Sequence, residues 1–254
     1  MSFPTTIYGA NGEEHQIYST HRHNLGTRMI MADGRVFRFA KMGAVAGVVG
    51  KVYQAAVPVA NHLNCAVDTA RAVGATTVSA TLGATAATKD EYKEGFVHIN
   101  DADAEGHIYP IKEHAAVSAS AVLTATLEAS YELVVALTTS SEVTFTKNAY
   151  DSVVIAPTTL TAPVMGVTPR AVTASYYCWL QTWGPAAVLT NGTLIVGKMV
   201  SLGATTSGSV DTYPITLVEG APNTYVPGDS PVLGVVMRVN ATTEYSLIFL
   251  TIAP

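Results

Sequence analysis

Thr76-Thr77-Val78-Ser79-Ala80-Thr81-Leu82 alternates small polar with apolar residues and is dense in β-branched side chains. Such residues lose rotamer freedom in a helix and pack well on a pleated sheet. The same grammar returns in Phe96-Val97-His98-Ile99 and His107-Ile108-Tyr109-Pro110-Ile111. It continues through residues 120–127 and 133–138 and Glu142-Val143-Thr144-Phe145-Thr146. Strand-sized runs about ten residues apart read as a β-sandwich or barrel. Farther on, strands are expected over residues 174–182, 185–189, 194–202, 213–218, 232–240 and 245–252. Asn191-Gly192 reads as a hairpin turn between two of them, because both residues accept positive φ cheaply. The last stretch, Ser246-Leu247-Ile248-Phe249-Leu250-Thr251-Ile252, is too apolar for a solvated tail and reads as a strand within a sheet. Helix signals are sparse: one short helix over 61–73 and a helical turn over 90–94. No repeat of fixed period marks a solenoid. The expected fold class is all-β, with sandwich or barrel domains and an extended N-terminal arm.

Composition narrows the setting. Only 13% of the 254 residues are Asp, Glu, Lys or Arg, against roughly 25% in an ordinary soluble domain. So few charges coat a free globule poorly, which points to surface hidden against other protein. Hydrophobic residues reach 48%, enough to exclude disorder. The net charge of -5 does not suggest a nucleic-acid binder. The start, Met1-Ser2-Phe3-Pro4-Thr5-Thr6, has no basic region followed by an apolar one, so no secretory signal is expected. Residues 42–60 are the most apolar, but Lys51, Gln54 and Pro58 interrupt them, and they read as buried extended chain or tight loops rather than a membrane helix. Cys65 and Cys178 have no CxxC spacing and read as buried apolar side chains.

The chain divides into three segments: an arm and connector over 1–60, a β-rich domain over 61–150, and a C-terminal β-barrel or sandwich over 151–254, with 149–168 as the linker between the last two. The arm carries Arg22, Arg28, Arg35, Arg38 and Lys41 together with His15, His21 and His23. Asp33-Gly34 predicts a hairpin pairing 27–31 with 35–39. The segment reads either as an arm laid on a neighbouring subunit or as a frayed terminus. Ile30, Phe37 and Phe39 would be wasted on a loose tail, which favours the arm.

Chemistry-bearing patterns are weak. Asp101-Ala102-Asp103-Ala104-Glu105-Gly106-His107-Ile108 mimics the first half of a calcium loop, but Lys112 stands where a bidentate Glu is required. An acidic hairpin tip is the plainer reading. His62, His98, His107 and His114 match no metal spacing, although a hairpin could place His98 opposite His107. No nucleophile elbow, phosphate loop or dinucleotide fingerprint is present. The expectation is therefore no enzyme, no catalytic or metal-ligating residues and no cofactor. In the aromatic run from Tyr176 to Pro185, strand geometry puts Tyr177, Trp179, Gln181 and Trp183 on one face. That face reads as core or subunit interface, or as a glycan platform.

Leu25-Gly26-Thr27-Arg28 and Asp33-Gly34-Arg35-Val36-Phe37-Arg38-Phe39-Ala40-Lys41 resemble the N-terminal arm of structural proteins from tailed-phage head modules. Pro58-Val59-Ala60-Asn61-His62, Gly83-Ala84-Thr85-Ala86, and the stretch from Gly166-Val167-Thr168-Pro169 through Trp179 and Trp183 to Gly184-Pro185 fit the same group. Within it the chain is similar to capsid decoration, or cement, proteins of bacteriophages. The resemblance implies a virion protein made in the host cytoplasm and carried on the capsid exterior. It also implies a homo-oligomer, expected as a homotrimer, whose partners are itself and the major capsid protein, with no nucleic acid or membrane. On that reading Arg22, Arg28, Arg35 and Arg38 contact the capsid, and Phe37, Phe39, Tyr177, Trp179, Trp183 and Phe249 form the oligomer interface or the core. The alternative is a receptor- or glycan-binding virion module of a tail fibre or spike.

Overall fold

The computed structural model describes residues 5–217, 225–227 and 230–254. The expected strand end at Val218 lies outside them. The protein is almost all β, and its only helical pieces among the described residues are two single 3-10 turns, Glu13–His15 and Ala60–His62. The helix expected over 61–73 is absent, and 90–94 forms turns only. Thr, Val and Ala here serve strands and tight bends.

In chain order the strands are β1 (Thr6–Gly9), β2 (Arg28–Met31), β3 (Val36–Lys41), β4 (Val52–Gln54), β5 (Cys65–Ala66), β6 (Thr77–Thr81), β7 (Phe96–Asp101), β8 (Ile108–His114), β9 (Val122–Leu127) and β10 (Glu142–Thr146). They continue with β11 (Val154–Ile155), β12 (Val164–Val167), β13 (Tyr177–Leu189), β14 (Met199–Leu202), β15 (Val210–Thr212), β16 (Ile215–Leu217), β17 (Tyr225–Pro227), β18 (Gly234–Arg238) and β19 (Tyr245–Thr251). They belong to two compact units, one made of Met1–Ala56 with Ala149–Pro254, the other of Val57–Asn148.

The second unit is a sheet in the order β5-β10-β7-β8-β9-β6. An antiparallel bridge from Val67 to Ala80 brings the chain after β5 back onto β6, so the sheet closes on itself. Closure removes exposed strand edges. Alternation fills the interior: Val97 and Ile99, Tyr109 and Ile111, and Leu123, Ala125 and Leu127 all point into one core. Residues 133–138, expected as a strand, instead form a loop whose Leu133 and Leu137 plug that core.

The first unit is built on the order β1-β2-β3-β13-β19-β18-β14-β15, with β4, β11 and β12 paired beside it. Residues 174–182 and 185–189, expected as two strands, form the single strand β13. Its first half pairs with β3 and its second half with β19. Asn191-Gly192 does not make a hairpin between neighbours, because β14 pairs with β15 and β18 rather than with β13. The end of β13 reaches β15 through a parallel bridge between Thr190 and Val210. Residues 149–168, expected as a linker, supply β11 and β12, both paired with β4.

The extended arm is overturned in part. Residues 28–41 are β2 and β3 of the first unit's sheet, and Phe37 and Phe39 are fully buried there. The physical reason is the apolar content that argued against a loose tail: a Met29, Phe37 and Phe39 face gains more from a core than from solvent.

One recurrent element was not legible as a sequence repeat. Three pairs of small-residue loops are tied by reciprocal backbone hydrogen bonds: Gly47 with Val172 (2.7 and 3.0 Å), Arg71 with Leu137 (2.9 and 2.8 Å), and Ala87 with Val117 (both 2.9 Å). Three residues after the bridge, the backbone turns left-handed at Gly50, Gly74, Asp90, Ser120 and Ser175. That bend redirects the chain, and β4, β6, β9 and β13 begin a few residues later. The loops recur at irregular intervals, so the motif has no period to find. They explain the tight bends within residues 42–60 and leave Val45, Val73 and Val134 exposed.

Candidate functional site

The residues singled out by sequence converge mainly on one place, the meeting of β2, β3 and the first half of β13. Asp33-Gly34 makes the expected turn: Gly34 has φ 85° and its N–H donates to the Met31 carbonyl at 3.0 Å. The hairpin register puts Met29 opposite Phe37 and Arg28 opposite Arg38. Phe39 stands opposite Trp179 on β13. A core of Met29, Met31, Phe37, Phe39 and Trp179 results, with Tyr18, Leu25 and Tyr177 packed on it.

Aromatic contacts centre on Phe39. Its ring stacks on Tyr177 at 5.6 Å and meets Trp179 edge-on at 5.0 Å. Two histidines close the cluster from the N-terminal segment: His21 lies 5.4 Å from Tyr177, and His23 lies 5.2 Å from Phe39 and 5.4 Å from Trp179. Trp179 is fully buried, so it cannot be a glycan platform. The four aromatic and polar residues expected on one face of β13 are parted, because the register slips by one between Gln181 and Trp183. Such a bulge re-aims the side chains beyond it. Trp183 instead packs edge-on against Phe249 at 5.6 Å, away from the Phe39 cluster.

The four arginines are treated differently by the fold. Arg35 is spent within the chain, paired with Glu14 at 3.1 Å and Asp33 at 2.6 Å and seated over the Phe37 ring. Burial pushes the Glu14 carboxyl up, but its backbone hydrogen bond and the Arg35 guanidinium outweigh that and hold it below the ordinary range. Arg38 donates to the carbonyls of Gly26 and Pro254, both at 3.2 Å. Arg28 is half-buried beside it. Arg22 is exposed, its guanidinium over the Tyr18 ring at 5.9 Å, and is the one of the four most open to a partner.

His23 supplies a pH prediction. Burial depresses its pKa, and the nearby Arg22 and His21 act the same way against Glu13. Between the folded and unfolded values the unfolded chain binds more protons, so stability rises with pH there. The contribution of His23 is therefore complete above about pH 6.5, the ordinary imidazole value, and is lost as pH falls below it. Denaturant midpoints measured from pH 7 to pH 5 are expected to fall, and His23→Gln to flatten the slope. An unchanged slope in the variant would remove His23 as its cause.

In the second unit, two of the four histidines belong to a buried polar chain. The His62 Nδ1 meets the Tyr92 hydroxyl, and its Nε2 lies 2.9 Å from the Thr85 carbonyl. The Tyr92 backbone N–H donates to His114 Nε2 at 3.0 Å, and His114 Nδ1 faces the Ala115 carbonyl at 2.8 Å. Each buried ring nitrogen thus has a partner, as low dielectric demands. His98 pairs with Ile108 rather than His107, whose ring lies by Tyr109. Residues 102–107 connect β7 and β8, and Asp103 accepts from the Thr138 hydroxyl at 2.7 Å. Among the described residues, no group of three or more His, Cys, Asp or Glu side chains is placed to hold a metal ion. Both cysteines are buried and free, and burial pushes the Cys178 thiol up to about 12.

Among the described residues, no helix is long and apolar enough to cross a membrane. Set against known protein families, curated proteins and solved structures, the chain matches none.

Proposed function

We propose that this protein is a structural component of a phage head that binds the outside of the shell and cements neighbouring major-capsid subunits. On this reading it is not an enzyme, it associates with copies of itself, and it resides on the capsid exterior. The observation that carries the proposal is the pairing of a charge-poor chain with exposed apolar side chains on bridged loops and on an outer sheet face. Such surface is costly to leave in water and is used up when protein covers it. The mechanism is mass action: a ligand that binds only the assembled shell stabilises that state. Bridging several subunits at once adds effective concentration. Arg22 is assigned the polar contact, since a guanidinium makes bidentate bonds to a partner's carboxylate.

The test is co-sedimentation with expanded heads built from the cognate capsid protein, together with the melting temperature of those heads. Binding with a raised melting temperature is expected, and Arg22→Glu is expected to weaken it. Heads that neither retain the protein nor melt later would end the proposal. Deleting residues 1–41 is not a usable probe, because it removes β2 and β3 from the core. A glycan-binding module remains the second reading, on the half-exposed Trp183 beside Phe249. Trp fluorescence that shifts on adding soluble glycans, and not on adding heads, would favour it.

A further inference from the structure

We infer that the outer face of the β13-β19-β18-β14 sheet is the surface through which a second copy of this chain docks. The inference gives a place to the self-association within the proposed function and rests on that part of it alone. It starts from strand pattern. A sheet with one wet face alternates apolar with polar residues, whereas one covered on both faces reads as continuous apolar runs. In β18 and β19 both faces are apolar. Val236, Ile248 and Leu250 point into the core. Their neighbours on the other side are Val235, Leu247 and Phe249, and the register sets Met199 opposite Val235 and Val235 opposite Phe249. Met199, Val235, Met237, Tyr245 and Leu247 retain between 36% and 44% of their surface exposed.

Size and charge identify the occupant. With the flanking Pro185 and Ala187, this face offers on the order of 500 Å² of apolar surface, at the upper end of what a lone monomer shows. A standard interface takes about 800 Å² per partner, so a polar rim completes one. The one charge beside these side chains is Arg238, set opposite Leu247 at the end of β18. None of the side chains named is a carboxylate, so two copies of a chain of net charge -5 meet here without facing acid against acid. At the margin, Lys198, Arg238 and Glu244 supply both signs, as a self-complementary rim needs. An apolar centre depleted of charge is the character of interfaces between identical subunits.

Sedimentation velocity of the full chain and of the double variant Met237→Glu, Leu247→Glu tests this. Both side chains are exposed, so the fold is expected to survive, which far-UV and near-UV circular dichroism would verify. The wild-type chain is expected to sediment as a multiple of the single-chain mass, and the variant as one chain. A second double variant, Val73→Glu with Val134→Glu on the bridged loops of the other unit, is expected to keep the wild-type mass. A wild-type monomer at high micromolar concentration would overturn the inference, as would a folded sheet variant of unchanged mass. The cement reading fails separately: a wild-type oligomer dispersed by the sheet variant, yet without affinity for heads, would sink that reading and leave this one standing.

Discussion

Removing residues 246–252 is expected to abolish folding of the first unit. The strand they form lies between β13 and β18, in register with β13 from Trp183 opposite Thr251 to Leu189 opposite Tyr245. Its loss exposes two strand edges at once. It also withdraws Ile248 and Leu250, both fully buried, from the core. Emptying one such site costs about 2–5 kcal/mol. Two sites and a lost ladder therefore consume most of the roughly 5–15 kcal/mol that holds a typical domain. The measurement is near-UV circular dichroism of the truncated chain, which reports the packing of Trp179. A soluble truncated chain with the native spectrum would refute the central place given to β19. The contrast with Met237→Glu, Leu247→Glu matters, because those side chains lie on the same sheet but outside its core. One change removes the strand, and the other only alters what its outer face can meet.

Trp179→Ala is expected to lower stability by about 3–5 kcal/mol, the range for emptying a large buried aromatic site. For a unit of this size that corresponds to a fall in melting temperature on the order of 10 °C. Trp179 has no exposed surface and holds Phe39 edge-on, so its removal also loosens Tyr177, which stacks on Phe39. The neighbours come from three separate stretches of chain, around residues 18–25, 29–39 and 177–179, and no single one can move in to fill the space. Urea unfolding with far-UV detection gives the shift in midpoint. Trp183→Ala is the comparison: half-exposed and packed against Phe249, it is expected to cost clearly less. Equal losses from the two variants would show that burial does not rank these aromatics.

The N-terminal segment shows how far charge patterning carries. Its five cations suggested a surface that reaches for a partner. Folding uses Arg35 to neutralise Glu14 and Asp33, and uses Arg38 to bind two backbone carbonyls. Asp33, two residues before Arg35, is a local sign of its capture, but the second carboxylate, Glu14, lies 21 residues away and no short-range pattern announces it. The histidines teach the same lesson. His62 and His114 stand far apart in the chain, and both meet Tyr92, a residue without any motif to mark it.

What the amino-acid order determined by itself was class and local direction. The density of Thr and Val marked the chain as β, Asp33-Gly34 made its hairpin, and the apolar finish made an interior strand. These are short-range properties, set by rotamer freedom, turn geometry and solvation of single side chains. Tertiary structure alone decided the partners. It paired β14 with β15 and β18 instead of β13, drew residues 28–41 into a core, tied irregularly spaced loops by backbone bridges, and split Trp179 from Trp183 by one extra residue in a strand. Backbone hydrogen bonds are the same for every sequence, so which strands exchange them is settled only when all the apolar faces are buried together.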